Sequence, residues 1–275
     1  MKYFAPAKIN LSLDVIKKRE DGYHELKMIM QTISLYDELD IEKNDIILLE
    51  CNKKNIPVDK RNLVWKAAEE FFKYTKIKGG CKIYINKVIP DGAGLGGGSS
   101  DAATVLMVLN KIYETNLTKQ ELINIGVKIG ADVPFFIIGG TCLAEGIGEK
   151  LTKIENKTNP YILVYKPDFS ISTKWVYENL NLNNKPYYNI DEIVDDLSNN
   201  NKAFATKIFN YLEDVSIKKF NEIEHIKSLL KTNGADGVLM SGSGSSVFGI
   251  FFNENLAKKA FNKLKNNNVF LTKFI

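Results

Sequence analysis

The run Pro90-Asp91-Gly92-Ala93-Gly94-Leu95-Gly96-Gly97-Gly98-Ser99-Ser100-Asp101-Ala102-Ala103 constrains this 275-residue chain more than any other feature. Its glycines allow positive φ and leave no Cβ between main-chain N–H groups and a ligand. The residues that follow predict a helix with Val105, Leu109, Ile112 and Tyr113 on one side. A helix starting there points its unpaired N–H groups and positive dipole end at whatever the loop holds, which suits a phosphate. The spacing narrows the kind of loop. Gly92-x-Gly94-x-x-Gly97 fits the dinucleotide fingerprint formally. That fingerprint needs an acidic residue about 20 positions on, at the end of a second strand, where this chain predicts helix. No lysine follows Gly97 or Gly98 as in a P-loop, and neither serine lies in a G-x-S-x-G nucleophile elbow.

Bulk properties exclude several classes. A hydrophobic share of 44% and a charged share of 25% suit one large or two moderate globular domains. The net charge is +4, and of 37 basic residues only Arg19 and Arg61 are arginines. The lysines are scattered among Asn and Glu, which argues against a nucleic-acid partner. Cys51, Cys81 and Cys142 are odd in number and form no C-x-x-C, and His24 and His225 are the only histidines. Neither a zinc site nor a disulfide framework is expected, and a reducing cytoplasm fits. No signal peptide or membrane span is expected either, since the N-terminus has no apolar h-region and no window reaches 18 apolar residues.

Ile9, Leu11, Leu13 and Val15 alternate with polar residues and predict a half-buried strand whose polar face carries Lys8, Asn10, Ser12 and Asp14. Asp21-Gly22 predicts a turn. Strands are expected at Met28–Leu35, Ile46–Cys51 and Lys82–Ile89. A helix is expected at Leu63–Tyr74 with Leu63, Ala67, Phe71 and Tyr74 on one face. Thr118-x-x-Glu121 is a capping box opening a helix that ends near Gly130. A second half starts around Thr152–Pro160, with strand at Tyr161–Lys166 and a long polar loop or lid-like excursion over residues 181–202. Helices follow at about Ala203–Leu212 and Ile217–Lys231, short apolar runs at Gly237–Met240 and Val247–Phe252 around a second glycine turn, a helix near Leu256–Lys265 and a strand at Val269–Phe274. Strands and helices mixed without regular alternation predict an α+β protein.

Three further blocks carry chemistry. Ala7-Lys8-Ile9-Asn10-Leu11 puts Lys8 and Asn10 on the same side of a strand. Gly130-Ala131-Asp132-Val133-Pro134-Phe135-Phe136 puts a carboxylate at a helix exit beside apolar bulk. A nearby ammonium keeps such a carboxylate ionised. Asp132 could then accept a hydroxyl proton while Lys8 holds the carboxylate and an incoming γ-phosphate. Met240-Ser241-Gly242-Ser243-Gly244-Ser245-Ser246-Val247-Phe248 is a second turn built for close approach. Asp21-Gly22-Tyr23-His24 offers an aromatic face and a ring nitrogen.

In their order, the lysine strand, the P-x-G-x-G-L-G loop and the Ser/Gly turn resemble the three motifs of the GHMP kinases. The resemblance runs over nearly the whole chain and is weakest from about residue 179 to 219. It implies a two-domain GHMP kinase fold: an N-terminal domain (1–153) like domain 2 of ribosomal protein S5, and a ferredoxin-like C-terminal domain (154–275). ATP would lie at the glycine loop in the cleft between them. D-G-Y-H and the G-A-D-V-P-F-F block resemble one branch, whose members phosphorylate a cytidine-diphosphate-linked methylerythritol on its 2-hydroxyl. The resemblance implies Lys8 and Asp132 as catalytic residues, and Lys87 with Pro90 to Ser100 as ATP-binding. It implies Asn10, Tyr23, His24, Thr173 and Tyr177 as substrate-binding. Mg²⁺ accompanies ATP, with no metal ligand legible in the sequence, and Asp101 receives no role. Homoserine and mevalonate kinases are alternatives within the family, but their first motifs lack D-G-Y-H. An inactive binding protein of the same fold is a third reading, opposed by the survival of the lysine, the aspartate and the glycines.

Overall fold

A computed structural model describes residues 1–183, 185–265 and 268–275. The chain opens with two long adjacent strands, β1 (Lys2–Lys18) and β2 (His24–Asn44). Its contacts gather into two compact units, and both strands run through each. One unit comprises Met1–Ala7, Leu35–Asp91 and Gly96–Gly139; the other comprises Lys8–Ser34, Gly92–Leu95 and Gly140–Ile275.

In the first unit β3 (Leu48–Cys51) runs parallel to β4 (Gly80–Asn86). β4 pairs antiparallel with the far half of β2, so that Leu39 faces Ile85 and Ile41 faces Ile83. Between β3 and β4 lies α1 (Leu63–Thr75), started by the Asn62 side chain, which accepts the Val64 N–H at 2.9 Å. α2 (Gly97–Ile112) follows the glycine loop, then α3 (Lys119–Val127) and α4 (Val133–Ile138). Ala67, Phe71, Val105, Leu109 and Phe135 are buried between these elements. Phe71, Val105, Leu109 and Phe135 each contribute about 1.5–3 kcal/mol when fully removed from water.

The Thr118 capping box is present in both halves. Tyr74 departs from the expected face. It is 42% exposed because its hydroxyl turns outward to Glu121 at 3.2 Å. Asp132 also differs, standing at the entrance of a new short helix as the N-cap of α4. Pro134 lies in the first turn of α4, where its missing N–H costs nothing.

In the second unit β5 (Thr141–Gly146) pairs antiparallel with the near half of β2, and β6 (Lys150–Ile154) with β5. β7 (Tyr161–Tyr165) leads to α5 (Thr173–Glu178), α6 (Ile190–Ser198), α7 (Phe204–Lys207) and the two-residue β8 (Phe209–Asn210). α8 (Glu213–Lys219), α9 (Glu222–Thr232), β9 (Gly237–Met240), β10 (Val247–Phe251), α10 (Glu254–Leu264) and β11 (Val269–Lys273) complete the chain. An antiparallel four-stranded sheet has the order β11-β7-β10-β9.

Four expectations fail in this unit. The stretch expected as a loop over 181–202 contains α6, and its residue 184 lies outside the described residues. The helix expected at 203–212 is instead α7 followed by β8, which pairs in parallel with Ser12 and Leu13 of β1. The helix expected at 217–231 is broken at Phe220 (φ −128°, ψ 76°), whose ring stacks on Phe169 at 4.7 Å. The polar face of β1 is also covered: Lys8, Asn10, Ser12 and Asp14 are all 0–7% exposed. A buried polar row must find partners inside the protein. Among the described residues no helix is long and apolar enough to cross a membrane.

Candidate active site

Three of the sequence motifs meet in the second unit. The Lys8 N–H donates to the Leu95 carbonyl at 2.9 Å, which ties the lysine strand to the glycine loop. The Ser241 hydroxyl donates to the Gly94 carbonyl at 2.9 Å and the Ser246 N–H to the Ala93 carbonyl at 3.2 Å. Gly94 has φ +75°, and a Cβ there would collide with the Ser241 carbonyl. Only glycine permits both the turn and this approach. Lys8 and Asn10 do share a face: Lys8 Nζ donates to Asn10 Oδ1 at 2.6 Å. Asn10 in turn stands against the Ser/Gly turn, 3.4 Å from where a Cβ on Gly242 would be.

Asn210 holds that turn from behind. Its amide donates to the carbonyls of Met240 at 2.8 Å and Gly242 at 2.7 Å. Buried Glu213 accepts the Met240 N–H at 2.9 Å and pairs with Lys227 at 2.8 Å. Burial pushes the Glu213 carboxyl up, and Lys227 opposes it. Neither Asn210 nor Glu213 carries a local sequence signal.

In the first unit the glycine loop enters α2. Its N-cap Gly96 has φ +71° and gives no side-chain cap, and the first turn holds no acidic residue. Ser100 is fully buried there with no hydrogen-bond partner for its hydroxyl. A Cβ on Gly97 would lie 3.0 Å from Lys87 Nζ. Lys87 is itself enclosed, donating to Asp37 Oδ2 at 2.5 Å and Asp101 Oδ2 at 2.9 Å. Burial works against its charge, yet the two carboxylates outweigh this and hold the ammonium above its ordinary range. Burial pushes Asp101 up to about 8 against the pull of Lys87.

Asp37 lies outside every sequence motif, and Asp101, inside one, receives no role there. The signal for Asp37 was its register, since it interrupts the apolar row Ile33, Leu35, Leu39, Ile41 on one face of β2. Asp101 likewise precedes Val105 and Leu109 at helical spacing. Asp132 is half-buried, and its carboxylate does not cap α4.

The D-G-Y-H turn is locally built in the second unit. Asp21 Oδ1 accepts the Tyr23 N–H at 3.1 Å, and Arg19 clamps Asp21 at 2.8 Å and Glu25 at 3.2 Å. Arg19, outside every motif, therefore shapes one. The turn presents Tyr23, 61% exposed, and His24, whose ring stacks on Tyr177 of α5 at 4.9 Å and 28°. With Lys18, Ile147 and Lys174 these residues line a groove of about 380 Å³. Burial, helped by the charge of Lys18, lowers the His24 pKa. At the other end of α5 the Thr173 hydroxyl shares a 2.7 Å hydrogen bond with Ser243. Tyr23, His24 and Tyr177 thus come together at one groove, and Thr173 touches the Ser/Gly turn.

Comparison with known proteins agrees with this geometry. Residues 62–140 match the GHMP kinases N terminal domain and residues 189–269 the GHMP kinases C terminal domain. A 4-diphosphocytidyl-2-C-methyl-D-erythritol kinase of Clostridium botulinum (strain Eklund 17B / Type B) is 47% identical over 280 residues, covering 100% of both chains. The kinase of the same name from Clostridium perfringens (strain ATCC 13124) is 46% identical, covering 100% of this chain and 98% of its own. A crystal structure of 4-(cytidine 5'-diphospho)-2C-methyl-D-erythritol kinase superposes with a TM-score of 0.87 at 33% identity, covering 100% of this chain and 99% of that one. Homoserine kinase from Cytophaga hutchinsonii shares the fold, with a TM-score of 0.76 at 19% identity over 100% of this chain and 97% of its own. The motifs, their convergence and these full-length matches lead to one assignment: the chain belongs to the GHMP kinase family.

Proposed function

We infer that this chain transfers the γ-phosphate of ATP to the 2-hydroxyl of 4-(cytidine 5'-diphospho)-2-C-methyl-D-erythritol, giving the 2-phosphate and ADP in the non-mevalonate route to isoprenoid precursors. Relatives of that name match over the full length. The observation that carries the choice of acceptor is the His24–Tyr177 stack beside exposed Tyr23. Flat rings lining a groove suit a pyrimidine. A neutral His24, favoured by its lowered pKa, offers one donor and one acceptor to a cytosine edge.

The residues present fit ATP. The uncapped start of α2, the positive φ of Gly92, Gly94 and Gly96, and the unpartnered Ser100 hydroxyl suit a polyanion. Bound ATP would supply the phosphoryl group, and the Mg²⁺ that accompanies it would screen the phosphate charge. Asp132 is the base that takes the proton of the acceptor hydroxyl, and Lys8 the fixed positive charge for the transferring group. Asn10 orients Lys8 through their 2.6 Å hydrogen bond. We assign residues 1–153 and 154–275 to the two family domains, supported by the family matches falling one on each side of that boundary. A cytoplasmic location accompanies this reading, since Cys51, Cys81 and Cys142 are free thiols.

ADP release should be measured with ATP and, in turn, the cytidine-linked alcohol, homoserine and mevalonate. Turnover with the first alone is expected. Equal turnover with either of the others, or none with the first, would refute the acceptor.

A further inference from the structure

We infer that Asp37 and Asp101 are positioning residues for nucleotide binding: they hold the Lys87 ammonium against Gly97 and fix the strand end from which the glycine loop departs. This rests on the reading of that loop as the ATP site. Asp37 serves three donors from three consecutive residues. Its Oδ1 accepts the N–H groups of Val88 at 2.6 Å and Ile89 at 2.8 Å, and its Oδ2 accepts Lys87 Nζ. β4 has ended at Asn86, so this carboxylate replaces a strand partner just before Pro90. Asp101 takes the ammonium from the other side, on α2 itself. The first residue of α2 then rests on the ammonium and on Ile89, each 3.0 Å from the place of a Gly97 Cβ.

A buried ion cluster is a poor source of stability. Each desolvated charge costs several kcal/mol, and apolar replacements often do as well. The side chains of Lys87, Asp37 and Asp101 are only 4%, 0% and 3% exposed. What this cluster provides is fixed geometry at the place where the loop becomes the helix.

Its charge also matters there. With both carboxylates ionised the cluster is net negative beside a site for phosphates; with a proton on Asp101 it is neutral. The groups facing Asp101 are Lys87 at the end of β4, Asp37 on β2 and the weaker Cys51 on β3. α4 carries no ionisable residue. On α1, Lys66, Glu69 and Lys73 are exposed and Glu70 pairs with Lys73; on α3, Lys119 is exposed and Glu121 is held by Thr118 and Tyr74. Nucleotide affinity should therefore fall as pH rises through about 8, where Asp101 loses its proton.

The test titrates a non-hydrolysable ATP analogue with Mg²⁺ into the full chain from pH 6.5 to 9.5, with steady-state kinetics alongside. Asp37→Asn sets an amide N–H or an emptied acceptor against the ammonium. It should raise KM for ATP about tenfold, as expected for a lost charged hydrogen bond, with kcat at saturating ATP within about twofold. Asp101→Asn keeps shape and one acceptor but cannot ionise, so the affinity loss above pH 8 should vanish. A folded Asp37→Asn with unchanged KM for ATP, or a pH dependence that persists in Asp101→Asn, would overturn the inference. If Asp37→Asn does not fold, the Asp101→Asn profile decides alone. A wild-type chain that binds the analogue but leaves the cytidine-linked alcohol untouched would sink the acceptor and leave this test intact. No binding of the analogue would sink both.

Discussion

The cluster under the glycine loop and the groove at the D-G-Y-H turn are opposite ways of using polar side chains. Asp37, Lys87 and Asp101 are closed to water, and one ammonium answers two carboxylates. Tyr23 is mostly exposed, and the groove around it is framed by one stacked ring pair and a clamped turn. The first handles what every acceptor shares, a nucleotide and its phosphates. The second handles what distinguishes one acceptor from another. Burial makes the common part rigid, and exposure leaves the selective part open to a ligand that brings its own contact surface.

Substitutions can break this division. The largest effect is expected at the base, which belongs to neither region: Asp132→Asn should lower kcat by about 10²–10⁴ in stopped-assay turnover with ATP affinity nearly unchanged. Near wild-type turnover would remove Asp132 from the chemistry. Next comes Gly97→Val, which drives a Cβ and two methyls against Lys87 Nζ and Ile89. Overpacking of about 1–3 kcal/mol should weaken ATP binding about 5- to 150-fold by titration while the chain still melts cooperatively. Intact ATP affinity would show that loop and cluster are independent.

Tyr23→Ala should act on the acceptor alone. Loss of stacking of about 1–2 kcal/mol at so exposed a ring raises its KM about 5- to 30-fold, and KM for ATP should not move. A shift in both would erase the distinction between the two regions.

The smallest effect is a pH dependence. Burial and Lys18 lower the His24 pKa, so its neutral form persists below the ordinary value near 6.5 and is lost only in more acid solution. KM for the cytidine-linked acceptor should stay flat down through pH 6.5 and then rise about 2- to 10-fold, as for one lost hydrogen bond. In His24→Asn the rise should be absent; a rise that remains would place the titrating group elsewhere.

The same contrast explains what could be read from the sequence. The glycine loop, the lysine strand and the Thr118 capping box are local: their spacing alone encodes their geometry, and all three stand where expected. Asn210 and Glu213 act on a turn about thirty residues away, and no periodicity announces that. The covering of Asp14 follows from Lys185, whose ammonium pairs with it at 2.5 Å across a long stretch of chain. Alternation along β1 gave the right face but not what lies over it. Phe209–Asn210 is too short to register as a strand without its partner in β1.

That last pairing has a consequence for biosynthesis. Ser12 and Leu13 leave the ribosome well before their parallel neighbours, which lie about 200 residues downstream. At synthesis speeds of about 5–20 residues per second, one edge of the lysine strand waits about 10–40 seconds for its partner. Closing so long a loop is slow by topology alone. One edge of the lysine strand therefore stays open until two residues far downstream are made, and an open strand edge is a template for pairing with another chain.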